Sequence, residues 1–426
     1  MANLTRQEIE QIIARGPKPL SFRGVDMRGT DFSSLNLCGA DFSDANLANS
    51  NFNCADLTGA KFVSANLSFS VFITAGLCEA DLRNANLNGA NLSTANISQA
   101  NLSKVNLSGA KLIDAYLIES NLSESNLDGA ILRDSKLSKV NLSNSTLRDA
   151  NLRMTDLTDA ILHNANFGNA NLSDAILQGA SVTGAEFCDA SLMHASLRGI
   201  DLSGLDLRCA SFYDADLTDI KMTGSKLGDA CLIQAKLVNA DLSEADFSNA
   251  DLSNSIMNQA KLRGANLSNA DLSNAELSGA SLSGAMLQGA KLTGANLCMA
   301  ELSASNMSHS DLMGADLRHA NLLLADLRKS NLSNTHLRHA VLSFSNLSSA
   351  NLSNGDFCYT SLKYADLSNS NLCNIDLSFA DLEGAKLIDA DLSHARLFNT
   401  SLLRADLTGA NTSNAQIEDI EHDGDE

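Results

Sequence analysis

The stretch "LRHANLLLADLRKSNLSNTHLRHA", residues 317–340, gathers the side chains best suited to chemistry. His319 and His339 lie twenty residues apart, His336 precedes His339 by three, and Asp316 and Asp356 lie twenty residues on either side of His336. Imidazoles and carboxylates brought together can hold a metal ion. Arg318 and Arg338 run alongside at the same spacing and would repel a cation. The expectation is therefore a solvated polar face that touches an anion or a protein partner at most, with no metal. No P-loop, GxSxG elbow, HExxH or CxxC occurs elsewhere. The chain is expected to be no enzyme, with no catalytic residues and no cofactor.

What would place those side chains in columns is a repeat of five residues. In "ANLSNADLSNAELSGASLSGAMLQGAKLTGANL", from Ala265 to Leu297, Leu recurs at every fifth position and Ala two positions earlier. Five residues advance a helix by about 500°, so successive leucines would wander around its axis. A strand alternates with period two, so an odd repeat would throw them to opposite faces. The pattern works only if the chain turns a corner once per repeat.

Let Ala265 define position one and Leu267 position three. All 78 residues at position three from Phe22 to Leu407 are Leu, Phe, Met, Ile or Val, without a slip of phase. Position two is mainly Asp or Asn and position four mainly Ser, Thr or Arg. Position five holds 20 of the 26 glycines and many Asn and Asp, the residues that tolerate positive φ, so it reads as the corner. Four corners make a coil of about 20 residues, and coils stack at about 4.8 Å by backbone pairing. This is a solenoid stabilised between neighbouring coils.

A tandem of such A(D/N)LxG-like units over residues 20–411 resembles the pentapeptide-repeat family. The resemblance implies a right-handed quadrilateral parallel β-helix. Its length would be about 19–20 coils, a rod of roughly 90–95 Å at that spacing. It specifies fold far better than function, because members of the family serve different roles.

Three segments are expected. Residues 1–19 form a capping helix and a Pro-containing linker, with Thr5 and Glu8 as a capping box, Leu4, Ile9, Ile12 and Ile13 as the apolar face, and Pro17 and Pro19 ending it. Residues 20–411 form the β-helix. Residues 412–426 form a cap and an acidic, frayed tail, in which either Ser413 and Gln416 start a small helix with Ile417 and Ile420 covering the last coil, or Ala415 and Ile417 make one more degenerate repeat. Neither a signal peptide nor a membrane span is visible, and the nine cysteines read as reduced thiols, so a cytoplasmic location away from membranes is expected.

Two aromatic ladders are expected inside the first coils, Phe22, Phe42 and Phe62 on one face and Phe32, Phe52 and Phe72 opposite. Bulky residues at position one, Ile200, Leu205 and Ile220 above all, predict a swollen or shifted coil near residues 198–222. Folded at twenty residues, the sequence also places large apolar residues outside. Met193, Tyr213 and Ile233 form one column. Leu324, Phe344 and Tyr364 form another, and Tyr359 and Phe379 lie below His319 and His339 at the neighbouring corner, with Leu323, Phe398 and Leu403 nearby. Stacked aromatics on a hydrophilic surface are expected anchors for a protein partner, and the C-terminal patch also offers weak self-association. Packing within each column is the competing explanation.

With a formal net charge of −20, direct nucleic-acid binding is not expected. Within the family, some proteins resemble DNA in width and charge, bind type II topoisomerases such as gyrase, and protect them from quinolones. Along the expected rod the chain carries about one net charge per roughly 6 Å, against one per about 1.7 Å in DNA. The reading is accordingly a non-enzymatic protein-interaction scaffold, with gyrase-directed DNA mimicry as the alternative.

Overall fold

The computed structural model describes residues 6–16 and 19–418. The coil is built from one local device. The N–H at position one donates to the carbonyl at position three of the preceding repeat, as in Ala40 to Leu37 at 3.0 Å and Ala265 to Leu262 at 3.0 Å. The residue at position five between them lies in the left-handed region, with φ of 57° at Asn84 and 58° at Asn254. A four-residue turn with positive φ at its third residue is the type II arrangement. Each such turn swings the chain around one corner.

The position-two side chain secures the turn. Its Oδ1 accepts the N–H of position four, as in Asp31 with Ser33 at 3.0 Å and Asp251 with Ser253 at 2.9 Å. This local Asx bond is why Asp and Asn dominate there. A Ser or Thr at position four adds a hydroxyl bond to the same oxygen, as Thr158 does to Asp156 at 2.6 Å.

Stacking follows from the backbone. Position-two residues pair in parallel with those twenty positions on, Asn46 with Asn66, Asn66 with Asn86 and Asn86 with Asn106. The ladder runs through bonds such as Leu37 N–H to Asp56 O at 2.8 Å and Asp56 N–H to Leu35 O at 2.9 Å. The same asparagines bond side chain to side chain, Asn66 to Asn46 at 3.1 Å and Asn106 to Asn86 at 3.1 Å. Positions one and three point inward and are buried from Leu37 to Leu397. Each buried Leu contributes roughly 1.5–3 kcal/mol. Where Ser or Thr replaces Ala at position one, its hydroxyl can bond a position-three carbonyl, as Thr335 does to Leu332 at 2.6 Å, whereas the buried Thr30 hydroxyl finds no partner.

The chain groups into two compact units, Met1–Ser211 and Phe212–Glu426, both built of this coil. In the first, helix α1 (Arg6–Arg15) lies against the opening coils. Its Ile9 is fully buried, and Arg6 bonds Asp31 at 3.2 Å and Ser33 at 3.1 Å. Leu4, Thr5 and Pro17 lie outside the described residues. Phe22, Phe42 and Phe62 stack with centroids 4.9 and 5.0 Å apart, and Phe32, Phe52 and Phe72 stack at 4.7 and 4.8 Å. The two columns meet edge to face, with Phe32 and Phe42 5.6 Å apart.

The first unit also holds the clearest departure from regularity. A cleft of about 360 Å³ opens between Ala180–Gly184 and the run Asp201, Ser203 and Leu205 one coil on. Ladder bonds flank it, Leu177 to Ser196 at 2.9 Å and Asp189 to Arg208 at 3.1 Å. Leu205, one of the bulky position-one residues, lines it and is 9% exposed, whereas Leu207 is fully buried. The cleft takes in Leu205, within the 198–222 window that side-chain bulk suggested, and also Ala180–Gly184 one coil earlier.

In the second unit the coil continues past residue 411. Strand β1 (Arg396–Phe398) pairs in parallel with β2 (Gln416–Glu418), and Ala415 N–H bonds Thr412 O at 3.1 Å, so residues 412–418 form another repeat. The small helix considered for Ser413 onward does not form there. Ile420 and the rest of the acidic tail lie outside the described residues.

Candidate functional site

The second unit presents two adjacent corners whose position-five residues are large. Down one corner run Met299, His319, His339, Tyr359 and Phe379. Their backbone is held in the left-handed turn, with φ near 60° at each. That conformation projects the side chains outward, and the coil spacing stacks their rings. His319 and His339 lie 5.0 Å apart, His339 and Tyr359 5.0 Å, and Tyr359 and Phe379 4.7 Å, the last pair with planes only 2° apart. Five residues on, the next corner carries Leu324, Phe344 and Tyr364, with the two rings 5.2 Å apart. Tyr364 lies over Gly384, where an added Cβ would sit 2.5 Å from the ring.

Stacking leaves these side chains exposed. Leu324 keeps 59% of its surface, Phe344 55%, Phe379 47%, Tyr364 46% and Tyr359 42%. Met299 at 61% and Val341 at 39% extend the same apolar surface, and sequence reasoning missed both. The signal was present, because Met299 is twenty residues before His319, but the search followed aromatic rings. Leu323, Phe398 and Leu403 sit beside the corners, partly exposed. The central column divides differently, with Met193 in the first unit and Tyr213 and Ile233 in the second, all partly exposed.

Charges around the patch follow a local rule. Where an Asp stands at position two, an Arg at position four grips it, as in Asp81–Arg83, Asp206–Arg208, Asp316–Arg318 and Asp326–Arg328. The Arg318 guanidinium spans both oxygens of Asp316 at 2.9 and 2.6 Å and holds that carboxyl below its ordinary range. Arg338 has no such acid, because His336 stands two residues earlier. It lies over the Tyr359 ring at 5.1 Å, within cation–π range. Lys363 bridges Asp381 at 2.8 Å and Glu383 at 3.0 Å on the face between the corners. Burial first, then Asp356 and Asp376, push the Cys358 thiol up to about 12, which keeps it protonated and unreactive.

His319, His339 and His336 do not converge. The first two stack face to face, and His336 pairs through its backbone with Asp316 and Asp356. Among the described residues no group of His, Cys, Asp and Glu is placed to hold a metal ion, and no helix is long and apolar enough to cross a membrane. The arrangement can offer flat aromatic surface and one guanidinium free of a carboxylate to a binding partner.

Such a coil, with four turns per circuit and side chains stacked in columns, defines a right-handed quadrilateral β-helix that displays its corners. The chain belongs to the pentapeptide-repeat family. The family model "Pentapeptide repeats (8 copies)" matches it in twelve segments between residues 20 and 414. Among solved structures it is similar to HetL, a pentapeptide repeat protein involved in heterocyst differentiation regulation from the cyanobacterium Nostoc. That pair is 30% identical over 53% of this chain and 90% of HetL, with a TM-score of 0.26. It is also similar to a pentapeptide repeat protein of the Arabidopsis thaliana thylakoid lumen, 33% identical over 28% of this chain and 68% of that one, with a TM-score of 0.15. The plasmid-mediated fluoroquinolone resistance protein QnrB1 is 18% identical over 45% of this chain and 86% of its own, with a TM-score of 0.22. No curated protein sequence matches the chain.

Proposed function

We propose that this protein is a non-enzymatic scaffold that docks a protein partner on the two aromatic corners of its second unit. One observation carries the reading. Five large side chains, Leu324, Phe344, Tyr359, Tyr364 and Phe379, are each more than 40% exposed on two adjacent columns. Contiguous apolar surface of this kind is what partner contacts use. Stacking within each column orders the rings in advance, which lowers the entropy lost on binding.

The charge pattern favours this over DNA mimicry. Many carboxylates are already answered by Arg or Lys at 2.6–3.0 Å, so they do not stand as a row of phosphate-like charges. A gyrase supercoiling assay separates the two readings. The scaffold reading expects no inhibition by the protein and no rescue from a quinolone, and either effect would favour the mimic. A location in the cytoplasm is part of the same proposal, and fractionation of cells producing the protein tests it.

A further inference from the structure

The cleft in the first unit is a gap in the ladder between two coils that are themselves intact. Its first wall, Ala180–Gly184, keeps its turn, with Ala185 N–H to Val182 O at 2.9 Å. That wall is also laddered to the coil before it, through Ser181 N–H to Ala160 O at 2.9 Å and Glu186 N–H to Ala165 O at 3.0 Å. The second wall keeps its turn as well, with Ser203 N–H to Asp201 Oδ1 at 3.0 Å and Leu205 N–H to Leu202 O at 3.2 Å. Only the bonding across is missing. On the same columns Phe42 and Asp44 donate to Lys61 O and Val63 O at 2.7 and 2.9 Å, but among the described residues neither Val182 N–H nor Gly184 N–H bonds the coil below.

Unanswered backbone donors in a cleft call for acceptors, and their spacing says which. Val182 and Gly184 are two residues apart and both N–H groups face the second wall. An extended chain carries carbonyls on one edge at the same interval, about 6.6–6.8 Å. Ser203 O, the acceptor of Gly184 N–H in a closed ladder, faces the cleft from the other side. The lining includes Asp201 but no Lys or Arg, which disfavours an anion. Ala180, Val182 and Leu205 add apolar surface, and the volume of about 360 Å³ falls within the range of about 300–1,000 Å³ usual for ligand sites. At the corner, Gly184 and Gly204 put no side chain across the entrance.

We propose that this cleft is a seat for an extended peptide segment, which enters as an added strand between the two coils. Running parallel to them, its second and fourth carbonyls accept from Val182 and Gly184, and its fifth N–H donates to Ser203 O. Its third side chain, apolar, rests on Ala180, Val182 and Leu205. Leu205 is the prop that holds the seat open, because its bulk stands where a position-one residue is ordinarily Ala. The site lies in the first unit and does not rest on the role of the aromatic corners.

Hydrogen–deuterium exchange resolved to single amides tests it on the full chain. The probes are the blocked peptides acetyl-Ala-Asn-X-Ser-Gly-amide, with X as Ala, Val or Leu, which copy the chain's own repeat. In the free chain the Val182 and Gly184 amides are expected to exchange about tenfold or more faster than the ladder-bonded Leu177 and Asp189 amides. The Val or Leu probe at millimolar concentration should slow both about tenfold. The same probe N-methylated at its fifth residue lacks the donor for Ser203 O and should lose most of that effect. Leu205→Ala should close the ladder, slowing both amides without peptide and leaving the probes nothing to protect. The proposal is overturned if both amides are already slow in the free chain, if none of the three probes slows them, or if the N-methylated probe protects equally. It is overturned as well if Leu205→Ala leaves both amides fast.

Discussion

At each corner a single residue accepts a positive φ, and most of those residues are not glycine. Asn and Asp take the left-handed region at modest cost, but Met299, Leu324, Phe344, Tyr359, Tyr364 and Phe379 take it as well. The coil supports that strain with the Asx bond from position two and the ladder bonds on either side. Gly384 and Gly314 separate the backbone cost from the side-chain cost. Both have φ near 67°, but an added Cβ meets the Tyr364 ring at Gly384 and nothing within 4 Å at Gly314. Gly314→Ala should cost about 1–2 kcal/mol. Gly384→Ala should cost more, because the ring must also move. Equal losses in chemical denaturation would mean that Tyr364 does not rest on the glycine. The corner itself was legible from Gly, Asn and Asp at position five. The Asx bond was not, because Asp and Asn at position two look the same whether they face water or secure a turn.

The coil is the element of this protein, and it was readable because position three never loses phase from Phe22 to Leu407. The two Phe columns follow from that phase and a coil of twenty residues. Position one carried a weaker signal. Bulk alone flagged Ile200, Leu205 and Ile220, yet Ile200 and Ile220 are 3% and 0% exposed, and only Leu205 lines the cleft. A one-dimensional pattern shows that a residue is too large without showing whether the coil widens or its neighbour is pushed away. Two truncations distinguish a wedge from a core residue. Leu207→Ala should destabilise by about 3–5 kcal/mol, as buried Leu truncations do. Leu205→Ala restores the small residue usual at position one and relieves overpacking, so it should be neutral or raise Tm. A loss equal to that of Leu207→Ala would show that Leu205 is ordinary core.

For the molecule as a whole, charge governs stability against pH. Asp31 and Asp41, held first by the hydroxyls of Ser33 and Ser43, and Asp81, Asp316 and Asp326, held first by their Arg partners, all lie below the ordinary carboxylate range. Groups with depressed folded values add stability that is present above the unfolded value of about 3.9 and is lost as pH falls through the lower folded values. Tm should therefore hold from pH 7 to about 5 and drop below about 4. A Tm that rises on acidification would contradict these assignments.

Function was the least legible property, since a repeat fixes where side chains point and says nothing of what meets them. The most direct measurement compares two surface variants of the full chain for partner capture from native lysate and for self-association by sedimentation. One carries Phe344→Ser, Tyr364→Ser and Phe379→Ser. The other removes exposed apolar residues of the first unit, Phe69→Ser, Ile161→Ser and Ile176→Ser, which are 59%, 40% and 46% exposed. If the corners are the docking surface, the first variant loses capture by roughly 30-fold or more, in line with at least about 2 kcal/mol for a hot spot, and the second binds as the unmodified chain does. If the first variant keeps its fold, captures its partner and self-associates unchanged, the columns serve only to stabilise the coil.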